Sequence, residues 1–370
     1  MPNAGYPTVI NNRTFFDHTK EYFSDQMLEI AKCGVEILGG CCGTTPEYIK
    51  ALCEKLDDFG TIEKKKEKEL EVESVAISKG EESTLIQKLN TGEKIIAVEL
   101  DPPMDTKIET FMQGAAFLKE KGVDAITIAD CPIARARVDS SLLAAKLKRE
   151  LGITPIPHMT CRDRNINATK ALLLGLQIEE VKDVLVVTGD PIPSAERDEI
   201  KAMFSFNSAI LAGYIRNLNE NMFSHPFTIY GALNVNAKNF KNQLIHAKKK
   251  IENGVSVFLT QPIFTKQAME NLKQARQELP AKILGGIMPI VSYRNACFMQ
   301  NEISGIEVSK EIIASYKGLE REEATQLAVK ISTEIAQQIA PYVEGYYLIT
   351  PFKRVELIGK IIAEMKKTAL

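Results

Sequence analysis

The side chains best suited to chemistry in this 370-residue sequence lie in or just after its apolar segments. The candidates are Glu99, Thr127, His158, Thr188, Gly189, Asp190, Lys250 and Gln261. They include carboxyl, imidazole, amide and ammonium groups, without an obvious nucleophile–base pair or metal-ligand cluster. This combination favours binding and protonation of a polar heterocycle over hydrolysis. Any redox centre would then be a bound cofactor, because these side chains provide none.

Glu99 is the most informative of these residues. Its segment, IIAVEL, is apolar on both sides of the carboxylate. Removal from water disfavours the charged form, so we expect the pKa of Glu99 to be raised. A carboxyl group with a raised pKa is suited to general acid catalysis near neutral pH. The alternative is a buried glutamate paired with a basic neighbour inside the protein.

Each of the other candidates has a chemical and a structural interpretation. Asp190 follows Gly189, which lets the backbone approach a ligand, but TGDP is also typical of a turn and helix cap. His158 either donates to a bound ring or is a hydrogen-bonded core histidine, since one histidine alone makes a poor metal site. Gln261 suits an amide-like heterocycle or is simply a polar residue. Lys250 ends a KKK run that either contacts a phosphate or faces solvent.

The order of the segments predicts the fold. From Thr84 onward, apolar strands alternate with amphipathic helices. The eight strands are IIAVEL, DAITIAD, ITPIPHMT, DVLVVTGD, FTIYGALN, SVFLTQP, KILGGIMPI and YYLITPF. Such alternation indicates a parallel sheet, and eight units predict an α/β fold of the (β/α)8 TIM-barrel type. An open doubly wound sheet is the alternative, but no GxGxxG follows the first strand. In a barrel, the active site gathers at the carboxyl ends of the strands.

The sequence before the barrel has a different organisation. Residues 21–34 have helical spacing, VEILGG (35–40) predicts a short buried strand, and 46–59 predict a second helix. Residues 61–74 are dominated by charge and form either a solvated helical spacer or a disordered tether. We therefore predict three parts, an N-terminal unit (1–59), a charged linker (60–83) and the barrel (84–370).

Bulk composition limits the classes of function. The net charge is −2, which gives no electrostatic reason to expect nucleic acid or an anionic membrane as a partner. No apolar run approaches the ~20 residues that span a bilayer, and the N-terminus lacks the pattern of a secretory signal. The seven cysteines are mostly scattered, as in proteins of a reducing compartment. We expect a cytoplasmic protein.

Six segments of the predicted barrel resemble one family. VELDPP, DAITIADCPIARARV, PHMTCRDRN, VTGDP, FLTQPIF and GGIMPI are similar, in this order and spacing, to methylenetetrahydrofolate reductase over residues 84–370. The resemblance implies FAD at the barrel mouth, NADH or NADPH as hydride donor, methylenetetrahydrofolate as substrate, a link to methionine synthesis and a homo-oligomer. The sequence carries no sign that distinguishes NADH from NADPH.

The resemblance also implies roles for individual residues. Glu99 would protonate the folate so that its five-membered ring opens, and Asp190 would lie near the flavin and the pterin. The implied FAD contacts are Thr127, His158, Thr188, Gly189, Asp190 and Lys250, and the implied folate contact is Gln261. Asn234 and Asn236 depart from the family, which often has a tyrosine and a histidine after the fifth strand.

The first 59 residues resemble a second family. PNAGYP (2–7) and GGCCGTTPEYI (39–49) are similar to the end of a homocysteine S-methyltransferase barrel, which precedes the reductase in bacterial bifunctional proteins. The resemblance implies that Cys41 and Cys42 are two of three zinc thiolates, the third belonging to an upstream strand that is not in this sequence. The zinc site would be incomplete unless a partner supplies the missing ligand. A partner-dependent or inactive fragment of a bifunctional protein is thus the alternative function.

We predict that the purified chain alone does not transfer a methyl group to homocysteine, because two thiolates leave a catalytic zinc site one ligand short. Metal analysis and an assay for methionine check this. Stoichiometric zinc together with methionine formation would show that the prediction is wrong.

Overall fold

The computed structural model describes residues 4–5, 7–10, 13–59, 80–192, 206–303 and 305–368. Most of the predicted charged linker, residues 60–79, lies outside the described residues. The chain forms two compact units, 1–75 and 76–370. The exact limits of the predicted linker therefore remain a prediction.

The N-terminal unit contains a hairpin and two helices. Its elements are β1 (Pro7–Ile10), β2 (Arg13–Phe16), α1 (Lys20–Lys32) and α2 (Pro46–Phe59). Phe23 and Met27 of α1 pack against Leu52 of α2. The predicted strand at 35–40 is wrong, because this segment has no regular secondary structure and Ile37 is 90% exposed. A strand needs a neighbour for its backbone hydrogen bonds, whereas β1 and β2 pair with each other.

The second unit is a closed parallel barrel. Its strands are β3 (Ile95–Leu100), β4 (Ala125–Ile128), β5 (Thr154–Thr160), β6 (Asp183–Val187), β7 (Thr228–Leu233), β8 (Val255–Pro262), β9 (Lys282–Ile287) and β10 (Gly345–Ile349). The last strand pairs with the first, and Ile349 lies opposite Glu99. All eight predicted strands and the (β/α)8 fold are confirmed. Closure excludes the open doubly wound sheet.

Helices surround the barrel in the expected alternation. They are α3 (Thr84–Thr91), α4 (Glu109–Glu120), α5 (Ser140–Leu151), α6 (Ile166–Ile178), α7 (Ser208–Asn221), α8 (Phe240–Glu252), α9 (Lys266–Glu278), α10 (Tyr293–Glu302), α11 (Lys310–Ser315), α12 (Arg321–Ile339) and α13 (Val355–Lys367). As far as the structure describes this segment, three α-helices separate β9 from β10, where the repeat predicted one. Within the described ranges, no helix combines the length and the apolar character that a membrane span requires.

Apolar side chains fill the lower part of the barrel interior. The strand residues in this layer are Ile95, Ala97, Ala125, Ile156, Leu185, Tyr230, Val257, Leu259, Leu284 and Tyr347. Leu85 and Leu89 of α3 pack against the same cluster and close the amino end of the barrel. Because alternate strand residues face the same side, the next inward position after Ile95 and Ala97 is Glu99. The interior therefore changes from apolar to polar at its carboxyl end.

A buried aspartate connects α3 to the amino end of the barrel. Ser83 Oγ accepts from Leu85 N at 3.1 Å, which caps α3, and donates to Asp183 Oδ2 at 2.6 Å. Tyr230 donates to the other oxygen, Oδ1, at 3.0 Å. Burial raises the pKa of Asp183 to about 6, while the two hydrogen bonds act in the opposite direction. Ser83 thus serves both the helix and the buried carboxyl group.

We predict that Ser83→Ala lowers the free energy of unfolding by about 2–4 kcal/mol, because it removes a helix cap and a hydrogen bond to a buried carboxyl group. Urea denaturation measures the change. Ser309→Ala is the matched control, since Ser309 caps α11 through Ile312 N and should cost only about 1 kcal/mol. Equal losses in the two variants would contradict the second role of Ser83.

Candidate active site

A cavity of about 360 Å³ opens at the carboxyl end of the barrel. Five predicted site residues line it, namely Glu99, His158, Gly189, Asp190 and Gln261. Asp130, Thr160 and Tyr347 are further polar residues of its wall. Glu99, His158 and Gln261 lie on strands, whereas Gly189 and Asp190 follow β6. Among the five predicted residues, the structure therefore brings together positions up to 162 apart, Glu99 and Gln261 being the most distant pair.

The other three predicted residues lie close to this cavity but are not part of its lining. Thr127 is buried on β4, opposite Glu99 in the strand register. Thr188 donates to Ser208 Oγ at 3.4 Å. Lys250 does not face solvent as the rest of its KKK run suggests, because its Nζ donates to the carbonyl oxygen of Ala232 at 2.8 Å. Burial lowers the pKa of Lys250 to about 8.

The Glu99 carboxyl group has two polar neighbours. Tyr347 donates a hydrogen bond to Glu99 Oε2, and His158 Nε2 lies 3.6 Å from the same oxygen. Burial raises the pKa of Glu99 to about 7, and the charge of Asp101 acts in the same direction. The hydrogen bond from Tyr347 opposes this rise without cancelling it. Near neutral pH, a substantial fraction of Glu99 is therefore protonated.

His158 responds to burial in the opposite direction. Loss of water lowers the pKa of its imidazole to about 4, although the charge of Asp130 partly opposes the decrease. The ring is therefore neutral at pH 7 and forms no ion pair with Glu99. His158 Nε2 is buried and has no hydrogen-bond partner. A polar atom of this kind is normally satisfied, so it is a natural contact for a bound ligand.

The loops around the mouth are held by charged hydrogen bonds. Asp130 Oδ2 accepts from Thr160 N at 3.0 Å and from Arg164 Nη1 at 2.7 Å. Burial alone would raise the pKa of Asp130, but Arg164 and Thr160 together lower it. Asp190 Oδ2 accepts from Ile133 N at 2.7 Å. Asp190 thus contacts the loop after β4, while the predicted cap on its own segment concerns residues 193–205, which lie outside the described residues.

Gly189 allows this part of the wall to pack closely. Its φ is +95°, and a Cβ there would lie 3.2 Å from Thr160 Cβ and 3.4 Å from Arg162 Cβ. Any other residue would adopt the left-handed region at a cost and would crowd both neighbours. The packing that requires glycine is therefore on the β5 side of the mouth, and the predicted close approach of the backbone to a ligand stays a prediction.

Sequence reasoning missed two features of the site. Tyr347 was not a candidate, although it shares the inward face of β10 with Ile349 and alternation in GYYLI could have revealed it. The arginines of CRDRN belong to a segment of the family resemblance but are not among the candidate residues. Of the two asparagines that depart from the family after the fifth strand, Asn236 connects loops of the barrel. Its Nδ2 donates to the carbonyl oxygens of Pro262 and Gly305, each at 3.0 Å.

The cysteine pair of the N-terminal unit is exposed. The sulfur atoms of Cys41 and Cys42 lie 3.8 Å apart. Among the described residues, no group of three or more histidine, cysteine, aspartate or glutamate side chains is arranged to hold a metal ion. The incomplete zinc site therefore stays a prediction.

Fold and site together define a (β/α)8-barrel protein whose mouth presents a desolvated carboxyl group beside a neutral imidazole. Residues 84–366 match the sequence model of the methylenetetrahydrofolate reductase family. The chain belongs to that family. Residues 1–56 match the homocysteine S-methyltransferase family, in agreement with the resemblance of the cysteine-containing segment.

Individual relatives are distant. A 5,10-methylenetetrahydrofolate reductase of Buchnera aphidicola is 21% identical over 192 residues, which is 51% of this chain and 63% of the relative. A probable methylenetetrahydrofolate reductase (NADPH) of Caenorhabditis elegans is 24% identical over 186 residues, 50% of this chain and 28% of the relative. The chain thus spans less than two thirds of the length of either relative.

One solved structure supports the fold. A protein from Clostridium thermocellum, described as binding two copies of 5-methyl-5,6,7,8-tetrahydrofolic acid, superposes with a TM-score of 0.55 and 16% identity. The superposition covers 78% of this chain and all (100%) of that chain.

We predict that Glu99→Gln stabilises the protein increasingly as pH rises. The unfolded carboxyl group ionises near 4.5 and the folded one near 7, so wild-type stability falls as pH rises between these values. The difference in free energy of unfolding between variant and wild type should grow by about 2–3 kcal/mol from about pH 5 to about pH 8. Glu120→Gln, at an exposed position of α4, should show no such growth. A constant difference for Glu99→Gln would mean that the Glu99 pKa is not raised.

Proposed function

We propose that this protein reduces 5,10-methylenetetrahydrofolate to 5-methyltetrahydrofolate, with FAD as bound cofactor and NADH or NADPH as hydride donor. The product would supply methyl groups for methionine synthesis. The observation that carries this proposal is the buried carboxyl group of Glu99, which lines a ligand-sized cavity and whose pKa burial raises to about 7. Membership of the methylenetetrahydrofolate reductase family supports the choice of substrate.

The residues at the mouth fit a flavin cofactor. His158 Nε2 is a buried polar atom without a partner, and it can hydrogen bond to a ring heteroatom. Gly189 belongs to the lining of the same cavity and presents backbone without a side chain there. The ammonium of Lys250 uses one of its three N–H donors for the carbonyl oxygen of Ala232, which leaves two that can bind a phosphate. Bound FAD would supply hydride transfer, which no side chain here performs.

Glu99 would act on the substrate nitrogen that leaves when the five-membered ring opens. The carboxyl proton moves from Glu99 to this nitrogen, its bond to the bridging methylene carbon breaks, and the other nitrogen forms an iminium with that carbon. The iminium carbon is then the hydride acceptor, and the methyl group is the product. Proton transfer of this kind typically contributes ~10²–10⁴ in rate.

The neighbours of Glu99 suit this step. His158 is uncharged at neutral pH, so it does not deprotonate Glu99 by forming an ion pair. Tyr347 donates to Glu99 and fixes the position of the carboxyl group. It also stabilises the carboxylate that remains after the proton has left, as a hydrogen bond to the charged form does.

Two further residues would orient the ring systems. Gln261 lines the same cavity and offers both a donor and an acceptor to the pterin amide. Asp190 presents a carboxylate that Ile133 N already holds in one orientation. We assign Gln261 to the folate and Asp190 to the region where flavin and pterin meet.

We predict that Glu99→Gln slows folate reduction by ~10²–10⁴, because folate reduction needs a proton donor. Flavin reduction by the nicotinamide does not need one and should stay unchanged. Anaerobic half-reactions followed by flavin absorbance separate the two steps. Glu120→Gln, on the outer surface of α4, should leave both half-reactions intact.

Two results would contradict different parts of the proposal. If Glu99→Gln retains both half-reactions, the role of Glu99 is wrong while the reductase assignment stands. If the wild-type protein is colourless and cannot be reconstituted with FAD, the proposed function itself is wrong.

A further inference from the structure

Arg162 is one of the largest fully buried side chains in the described part of the chain, with 1% exposure. It lies immediately after β5, in the loop that contains CRDRN. A guanidinium group keeps its charge in proteins, so its burial is costly unless several hydrogen bonds compensate. None of the steps assigned above uses this arginine.

The contacts of Arg162 join three loops at the barrel mouth. Its Nη1 donates to the carbonyl oxygen of Asp190 at 3.0 Å, and its Nη2 donates to the carbonyl oxygen of Cys131 at 3.3 Å. Asp163 pairs with the same guanidinium at 2.6 Å. The loops after β4, β5 and β6 therefore meet at one side chain.

The loop after β4 needs such support. Cys131, Ile133 and Ala134 have φ values of 47°, 56° and 56°, in the left-handed region that favours glycine. For a β-branched residue such as Ile133 this conformation is a genuine outlier. Its side chain is 64% exposed, so burial of apolar surface does not compensate. Strained residues of this kind persist only where their surroundings hold them.

Two bonds hold the left-handed turn, residues 131–134, from the side of the cavity. Arg162 binds the carbonyl oxygen of Cys131, and Asp190 Oδ2 accepts from Ile133 N at 2.7 Å. Arg162 also binds the backbone of Asp190 itself. Arg162 thus holds Asp190 and the left-handed turn together, and the Asp190 carboxylate in turn contacts that turn.

A second arginine fixes the ends of the same loop. Arg164 pairs with Asp130 at 2.7 Å and with Asp139 at 2.6 Å, which lie before and after the turn. With its ends already anchored by Arg164, the loop depends on Arg162 for the conformation of its middle. The two arginines therefore have separate tasks.

We propose that Arg162 is a positioning residue, which holds the Asp190 carboxylate and the left-handed turn against the cavity in the arrangement that binds FAD. This inference rests on the proposed function. A planar fork spreads its donors over separate nitrogens and reaches two carbonyl oxygens at once, whereas the three donors of a lysine ammonium all start from one nitrogen. Arg162→Lys keeps the charge and should lose the arrangement.

The first measurement needs no cofactor. Amide hydrogen exchange of the flavin-free protein, followed by mass spectrometry over residues 131–138, compares wild type with Arg162→Lys and Arg162→Gln. We expect exchange in this segment to become about tenfold faster or more, as loss of a buried charged hydrogen bond implies, while the barrel strands keep their protection. Arg149→Lys is the control, because Arg149 forms an ion pair with Glu179 at the protein surface.

The second measurement is FAD affinity, determined by fluorescence titration of the same four proteins. We expect both Arg162 variants to bind FAD about tenfold more weakly or worse and the Arg149 variant to match wild type. Arg162→Gln, which retains a hydrogen-bond donor without the charge, serves if Arg162→Lys does not fold.

The outcomes separate the inference from the proposed function. Faster exchange at 131–138 together with weaker FAD binding supports the positioning role. Unchanged exchange, or faster exchange with unchanged FAD affinity, overturns it and leaves the proposed function standing. A wild-type protein that binds no FAD overturns the proposed function, and the positioning role with it.

Discussion

The site depends on the removal of one carboxyl group from water. Strand alternation places Glu99 at the last inward position of β3, above a layer of apolar side chains that α3 closes from below. Two effects then compete at this group, because burial favours the protonated form and the hydrogen bond from Tyr347 favours the carboxylate. Burial is the larger effect. The fold therefore keeps an acid at a position where an apolar residue or an amide would be more stable, which is a common feature of functional sites.

The same burial acts on Glu99 and His158 with opposite consequences for their pKa values. It raises the pKa of the acid to about 7 and lowers that of the base to about 4. If the site were wet, His158 would protonate more readily and its charge would favour ionised Glu99, 3.6 Å away. Burial thus leaves His158 neutral and a substantial fraction of Glu99 protonated near neutral pH, so that the proton of Glu99 is available to a ligand.

The sequence predicted those features that depend on local pattern. Eight apolar runs between helical segments were enough to predict the barrel. The apolar residues around Glu99 in the sequence were enough to predict that its pKa is raised. Features that depend on a distant partner were missed. VEILGG has strand-like composition but pairs with no strand in the described part of the chain, and Lys250 belongs to a charged run whose local pattern indicates a surface. Only the packing of α8 shows that its ammonium contacts the carbonyl oxygen of Ala232.

The same distinction explains how the mouth is built. Glu99 lies on a strand with a paired residue on each side, Ile349 and Thr127, so the sheet fixes the direction of its side chain. Asp190 lies beyond the end of β6, where this ladder no longer acts. Its position must come from contacts outside the ladder, which the Arg162 side chain and the backbone amide of Ile133 provide. An accurate site at the end of a barrel therefore needs two kinds of support, the sheet for its strand residues and buried charged hydrogen bonds for its loop residues.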